Sequence, residues 1–383
     1  MNPSDLLRRE LPDLKLSFDR PYRELTTLGV GGVLPVLAEP SDEAQLSRLL
    51  KLLKRKRIPF FILGGGSNLV GMDDFYPGVG VRLDRTAFGE LARAGDMIRC
   101  GAMARLPALA SFAAKEGMSG FAALSAIPGC VGGALRMNAS CRGVSIGELV
   151  RELRGVRFDG SPWSSSADKL KWRYREGGMP KDVVITSAEF RLSLGSPEEE
   201  YAALEAERAK RRDTEPSGRS AGCVFRNVSP ERPAGLLIDR CGLRGSRIGG
   251  VEVSDRHANY IVNASGTASE ADFLTLARLV RRTVMERFGC ELQPEVRFVS
   301  SASAEALSAE RSMPGKSSLS HGLIRVCRWM FRMASVLAAL TLAGMAWSVL
   351  PDGAESAAVL LIGAVLLLSG EIVCTILNRM EKR

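Results

Sequence analysis

Phe60–Val70 reads FFILGGGSNLV. An apolar, β-like run from Ile58 to Leu63 feeds directly into Gly64, Gly65, Gly66, Ser67 and Asn68. Glycines here let the backbone take left-handed angles and come close to a ligand. A turn of bare N–H groups is an anion cradle suited to a pyrophosphate. The stretch lacks the Lys-Ser/Thr ending of a Walker loop, and it is not a G-x-G-x-x-G fingerprint opening a helix. Taken alone, it reads slightly better as a glycine-rich turn between strands. A second glycine-rich loop, Ile127–Asn138 (IPGCVGGALRMN), changes the balance. Two such loops in one chain suggest that both touch one long ligand carrying two phosphates.

Outward from the first loop, Ser41–Arg57 reads as a helix. Ser41 is the expected cap, acidic residues fill the first turn, and basic residues fill the last. Leu46, Leu49, Leu50 and Leu53 form its apolar stripe. With Val36–Glu39 before it and the Ile58–Leu63 run after it, this is a β-α-β unit with the loop at the end of its second strand. Strands are expected at Val79–Leu83, Met97–Cys100 and Val183–Leu192, and a helix at Leu106–Glu116 that Gly117 stops. A charged helix, Ser196–Arg212, opens the next region with Pro at its first position. Beyond it are expected a helix at Ala234–Cys241, strands at Arg247–Val253 and Asn259–Asn263, and a helix at Ala268–Phe288 boxed by Thr267 and Glu270. A closing strand is expected at Leu292–Val299.

The 383 residues are too many for one ordinary domain, and 45% apolar content suffices for real cores. The net charge of +9 suits acidic small molecules, nucleic acid or an anionic membrane. Aromatics are sparse and not interleaved with the basic residues, which argues against a nucleic-acid groove. Eight cysteines without a C-x-x-C pair and two histidines argue against a zinc site, and they point to reduced thiols. Residues 301–322 read as a linker rich in Ser and Ala. The uncharged run Met333–Leu350 and the apolar run Ala357–Leu377, broken by Glu371, are each long enough to span a bilayer. They are expected to form a transmembrane hairpin within 323–383.

The chain from Tyr22 to Ser300 resembles the UDP-N-acetylenolpyruvoylglucosamine reductases (UDP-N-acetylmuramate dehydrogenases). The resemblance rests on TTLGVGG at Thr26–Gly32, LGGGSN at Leu63–Asn68, IPGCVGGALRMNA at Ile127–Ala139 and YR at Tyr174–Arg175. It continues with SAGCVFRN at Ser220–Asn227, AGLLID with GLRG as one motif within Ala234–Gly245, VSDRHANYIVN at Val253–Asn263, and QPEVRF at Gln293–Phe298. Eight motifs in one order are specific where each alone is weak. The short distance from Phe190 to Ser220 looks like the family's shorter subtype.

The resemblance implies an α+β fold. A two-part FAD-binding unit of the vanillyl-alcohol-oxidase (PCMH) type would occupy 1–75 and 76–195, and a substrate domain 196–300. It implies FAD held by Gly64, Gly65, Gly66, Ser67, Asn68, Ile127, Pro128, Gly129, Val131, Gly132 and Gly133, without a covalent link. It also implies NADPH as donor and a UDP-sugar as substrate, with Tyr174 and Asn227 supporting it. Carried over residue by residue, Arg175 would steady developing negative charge, Cys223 would protonate the substrate, and Glu295 would complete the site. Cys223 departs from the family's commoner Ser, and Glu176 follows Arg175 where many relatives carry Ser. An FAD-linked oxidase of the wider superfamily, or a membrane-anchored flavin-binding protein without turnover, are the competing readings. SAGCVFRN with QPEVRF favours the reductase. The catalytic domains are expected in the cytoplasm, tethered to the inner membrane by residues 333–377. His257, Cys130 and Cys141 carry no expected role.

Overall fold

A computed structural model describes residues 3–308. The hairpin expected at Met333–Leu377 lies outside the described residues. Among the described residues, no helix is long and apolar enough to cross a membrane.

The first sheet has four strands in the order Lys15–Pro21, Val33–Glu39, Val79–Val81, Phe60–Ile62. The first pair is antiparallel and the others are parallel. The expected β-α-β unit is present, with Val79–Val81 inserted between its two strands. Its helix is Glu43–Lys56, and the capping residue is Asp42 rather than Ser41. Asp42 holds extended backbone angles and its carboxylate accepts from Gln45 N at 2.7 Å, whereas the Ser41 hydroxyl is engaged with the Gln45 side chain. Leu46, Leu49, Leu50 and Leu53 are fully buried, as the stripe requires.

A five-stranded antiparallel sheet follows, in the order Pro162–Ser166, Val150–Arg157, Val183–Arg191, Met97–Gly101, Leu91–Ala94. The helices Leu106–Lys115 and Pro197–Thr214 pack against each other and join the same core, the second through Leu204. This sheet shares one core with the helix Glu43–Lys56, and Phe121 packs edge-on against Phe190 at 5.1 Å within it. Removing either ring would cost about 3–5 kcal/mol in lost burial and cavity formation.

The third region is an antiparallel sheet ordered Ser220–Cys223, Tyr260–Asn263, Val251–Val253, Arg247–Ile248. The helices Ala234–Arg240 and Glu270–Phe288 share its core through Leu237, Ile238, Phe273 and Val280. The stretch expected as one strand, Arg247–Val253, is a hairpin instead, because Gly249 (φ +53°) and Gly250 turn the chain back. The capping box of Glu270–Phe288 is Ser269 with Asp272, not Thr267 with Glu270. Asp73 reaches this helix from the first region and accepts from the Glu270 and Ala271 amides at 2.9 and 3.1 Å. The expected closing strand shrinks to Arg297–Phe298, which pairs in parallel with Leu69–Val70 beside the first glycine loop. The start of the stretch read as a linker is a helix, Ser301–Ser308, whose Leu307 is buried in the third region's core.

Candidate active site

The two glycine loops meet. A side-chain carbon added to Gly65 would lie 3.1 Å from Gly129 Cα, and one on Gly129 would lie 2.7 Å from Ser67 Oγ. Gly66 has φ +70°, and an added carbon there would collide with Leu25 O. Any side chain at these points would pry the loops apart. Among the described residues, the N–H groups of Gly64, Gly65, Gly66, Ser67 and Asn68 donate to no protein acceptor. The same holds for Gly129, Cys130 and Gly133. The two loops line one cavity of about 740 Å³. Two facing sets of unspent donors fit the diphosphate of a dinucleotide such as FAD. The other N–H groups of the second loop are spent in the fold: Ile127 bonds to Leu124 O, Val131 to Ala104 O and Gly132 to Ala102 O. Val131 is fully buried, so it supports the loop and does not face the cavity.

Opposite chemistry enters from three separate segments. Tyr174 and Arg175 form the tip of a tight turn that Arg173 and Glu176 close with two backbone bonds of 2.9 and 3.1 Å. Arg175 takes φ +58°, which costs a non-glycine residue about 1–2 kcal/mol. Arg175 Nε lies 2.6 Å from Glu295 Oε1, and its Nη1 donates to Ser140 Oγ at 3.1 Å. Glu295 is tied to the first glycine loop. Asn68 Nδ2 donates to Glu295 O at 3.2 Å, and Arg297 N donates to Asn68 O at 3.0 Å. Cys223 sits at the end of a strand whose pairing register shifts between Ser220 and Cys223, with Gly222 at φ +78° in between. Such a bulge re-aims the side chain that follows it. Thr27 braces the arrangement, bonding to Gly66 O through its amide at 3.0 Å and to Ser220 O through its hydroxyl at 2.6 Å. Arg175, Cys223 and Glu295 thus line the same cavity as the glycine loops.

Burial, and then the Glu295 carboxylate, push the Cys223 thiol up to about 12. It is a protonated acid across the neutral range rather than a reactive thiolate. Burial also raises Glu295, against the opposing pull of Arg175. For Arg175, burial is the largest influence and works against the charge, but Glu295, with Tyr174 and Cys223, together outweigh it and hold the guanidinium charged.

Tyr174 and Asn227 are not in this cavity. They line a neighbouring hollow of about 580 Å³ together with Arg226. Tyr174 is half exposed, and its hydroxyl accepts from Asn227 N at 3.4 Å. Asn227 Oδ1 accepts from Ala234 N at 3.0 Å and so secures the start of a helix. The Glu176 side chain is exposed. Cys130 and Cys141 carry free thiols, and His257 accepts from Asn259 N at 3.2 Å while its ring packs edge-on against Tyr260. Sequence reasoning passed over Arg211, Glu215, Tyr260 and Arg297, which also line the cavity. Arg211 and Glu215 are hidden at the end of a helix that is charged throughout, and Tyr260 at a buried strand position.

A family profile described as FAD binding domain matches residues 35–164, which span both glycine loops. A second, described as UDP-N-acetylenolpyruvoylglucosamine reductase, C-terminal domain, matches 213–299, which include Cys223 and Glu295. The UDP-N-acetylenolpyruvoylglucosamine reductase of Paracoccus denitrificans is 39% identical over 297 residues, covering 74% of this chain and 96% of that protein. The chain belongs to the UDP-N-acetylenolpyruvoylglucosamine reductase family. A second member, from Methylorubrum populi, is 38% identical over 304 residues, 79% of this chain and 97% of that one. The crystal structure of the reductase from Thermus caldophilus superposes with a TM-score of 0.63 at 31% identity, covering 74% of this chain and 98% of that one. These family members match nearly their whole length to about three quarters of this chain.

Proposed function

We propose that the protein reduces UDP-N-acetylglucosamine enolpyruvate to UDP-N-acetylmuramate in peptidoglycan precursor synthesis, with NADPH as electron donor and FAD as carrier. The reading is supported by family membership. The observation that carries it is the convergence of Arg175, Cys223 and Glu295 on a cavity floored by two loops of unspent N–H donors. The donors of Gly64–Asn68 and of Gly129, Cys130 and Gly133 would hold the FAD diphosphate. When bound, FAD supplies hydride chemistry, coupling oxidation of NADPH to reduction of the enolpyruvyl double bond.

The remaining tasks fall to the chain's own residues. Arg175 is a permanently charged planar fork that meets the substrate carboxylate, where enolate-like charge gathers. Its turn holds it there in advance, and Ser140 and Glu295 fix its direction. Cys223, protonated at neutral pH, gives its proton to the carbon beside that carboxylate. Glu295 holds Arg175 in place and brings the third region against the first loop. Tyr174 and Asn227 would border the nucleotide end of the substrate from the neighbouring hollow.

The test is direct. The purified protein is expected to be yellow, to bleach with NADPH, and to regain colour on addition of the enolpyruvyl substrate. A protein that bleaches but recovers only with oxygen would be an oxidase instead. Precipitation with acid is expected to release all the flavin to the supernatant, since binding rests on hydrogen bonds. Flavin that stays in the pellet would contradict that.

We also infer, from the sequence alone, that residues 333–377 tether the catalytic region to the inner membrane. Arg325, Arg328 and Arg332 precede the first apolar run, and Arg379, Lys382 and Arg383 follow the second. The connection carries Asp352 and Glu355 but no Lys or Arg, so the positive-inside rule puts both ends in the cytoplasm with the nucleotides. Full-length protein is expected in the membrane fraction and a chain ending at Ser308, which keeps the helix Ser301–Ser308, in the supernatant. Full-length protein that needs no detergent would overturn the tether.

A further inference from the structure

A second guanidinium–carboxylate pair lines the cavity, and the chemistry above leaves it unused. Helix Pro197–Thr214 ends beside Arg211 and Glu215, which pair at 2.9 Å. Both line the cavity together with Cys223 and Tyr260. Cys223 and Tyr260 are direct partners across the antiparallel strand pair, so their side chains leave the same face of the sheet within ~5 Å of each other. Glu215 Oε2 is buried, and the Glu215 charge is felt by Cys223, Tyr260 and His257. The thiol therefore shares the cavity with two carboxylates, Glu295 held by Arg175 and Glu215 held by Arg211.

We propose that Glu215, anchored by Arg211, is a positioning residue that returns Cys223 to its protonated state after each turnover. The inference rests on the reading of Cys223 as the acid. In that step the S–H bond breaks and its electron pair stays on sulfur. The substrate's enolate-like pair takes the proton into a new C–H bond. The resulting thiolate shares the cavity with two negative charges, and that repulsion drives it to take a proton from solvent water, whose hydroxide passes to the buffer. The groups facing Cys223 are Glu295 and Glu215, which resist its ionisation, and Arg175 and Asn259, which favour it. Tyr260, raised by burial and by its neighbours, stays a neutral phenol among them. Glu215 itself faces Arg211, Tyr260, His257 and Cys141.

The sign of the effect follows. Glu215→Gln removes one of the two negative neighbours, so the thiolate forms at lower pH. Full-length, FAD-bound protein is treated with iodoacetamide from about pH 7 to about pH 10, and label at Cys223 is followed by mass spectrometry. Glu215→Gln is expected to label ~10-fold faster than wild type near pH 8, the effect of one neighbouring charge. Glu215→Asp, which keeps the charge, is expected to label like wild type. The alkaline limit of substrate-driven colour recovery should move down in the Gln variant by the same interval. Equal labelling of wild type and Glu215→Gln, labelling of Glu215→Asp like the Gln variant, or no label at Cys223 in any variant would overturn the role. If the enolpyruvyl substrate restores no colour in wild type, the proposed reaction fails, while the labelling still decides whether Glu215 controls the thiol.

Discussion

Replacing Cys223 by alanine is expected to slow substrate-driven recovery of the flavin colour by ~10²-fold or more, the usual effect of losing a placed general acid. Bleaching by NADPH should stay near the wild-type rate, because hydride transfer to the cofactor uses no proton from Cys223. Cys223→Ser is expected to retain substantial activity, since the bulge at Gly222 would aim a hydroxyl at the same point. The structure sharpens the reason a thiol can serve here. An exposed thiol ionises near ~8.5 and would be partly lost as thiolate in mildly alkaline conditions. Burial and Glu295 push this one up to about 12, which keeps the acid loaded. Stopped-flow measurement of the two half-reactions separates the possibilities. An alanine variant that recovers colour at the wild-type rate would reduce Cys223 to a packing residue.

Arg175→Ala is expected to cut turnover by ~10³-fold and also to destabilise the fold. Arg175 is the cation where negative charge develops, and losing such a group costs 10²–10³ or more in rate. It is also half of a pair that is largely shielded from water. Removing one partner strands the Glu295 charge and costs about 3 kcal/mol. Adding Glu295→Gln removes the stranded charge, so the double variant should recover most of the melting temperature but none of the activity. A single variant with wild-type stability would show that the 2.6 Å contact contributes nothing in solution. A double variant that regains turnover would remove Arg175 from the chemistry.

How far the site was readable varies with the kind of signal. Gly64–Asn68 and Ile127–Gly133 announce themselves, because a run of glycines has few uses other than close backbone approach. Arg175, Cys223 and Glu295 are ordinary residues in isolation, and only the order of the surrounding motifs singles them out. The leucine stripe of Glu43–Lys56 was legible because it repeats at the helical period. The cap was misplaced by one residue because Ser41 and Asp42 are both competent caps, and backbone angles chose between them. The hairpin at Gly249–Gly250 looked like one strand because alternation along Arg247–Val253 does not record a reversal of direction. Tyr174 and Asn227 were expected from their motifs to support the substrate, and only the structure shows that they open onto the hollow beside the cavity.

The sequence by itself determined the class of ligand and the family, because glycine loops and ordered motifs are local properties of the chain. It also determined which faces of its long helices are apolar. Only the tertiary structure decided which charges surround the acid. Arg175, Glu215, Cys223 and Glu295 come from four segments, and their meeting depends on two features remote from each other in the chain. One is the pairing of Arg297–Phe298 with Leu69–Val70, and the other is the bulge at Gly222. Electrostatic coupling falls off over a few ångströms and is set by burial, and neither distance nor burial between segments is written in residue order.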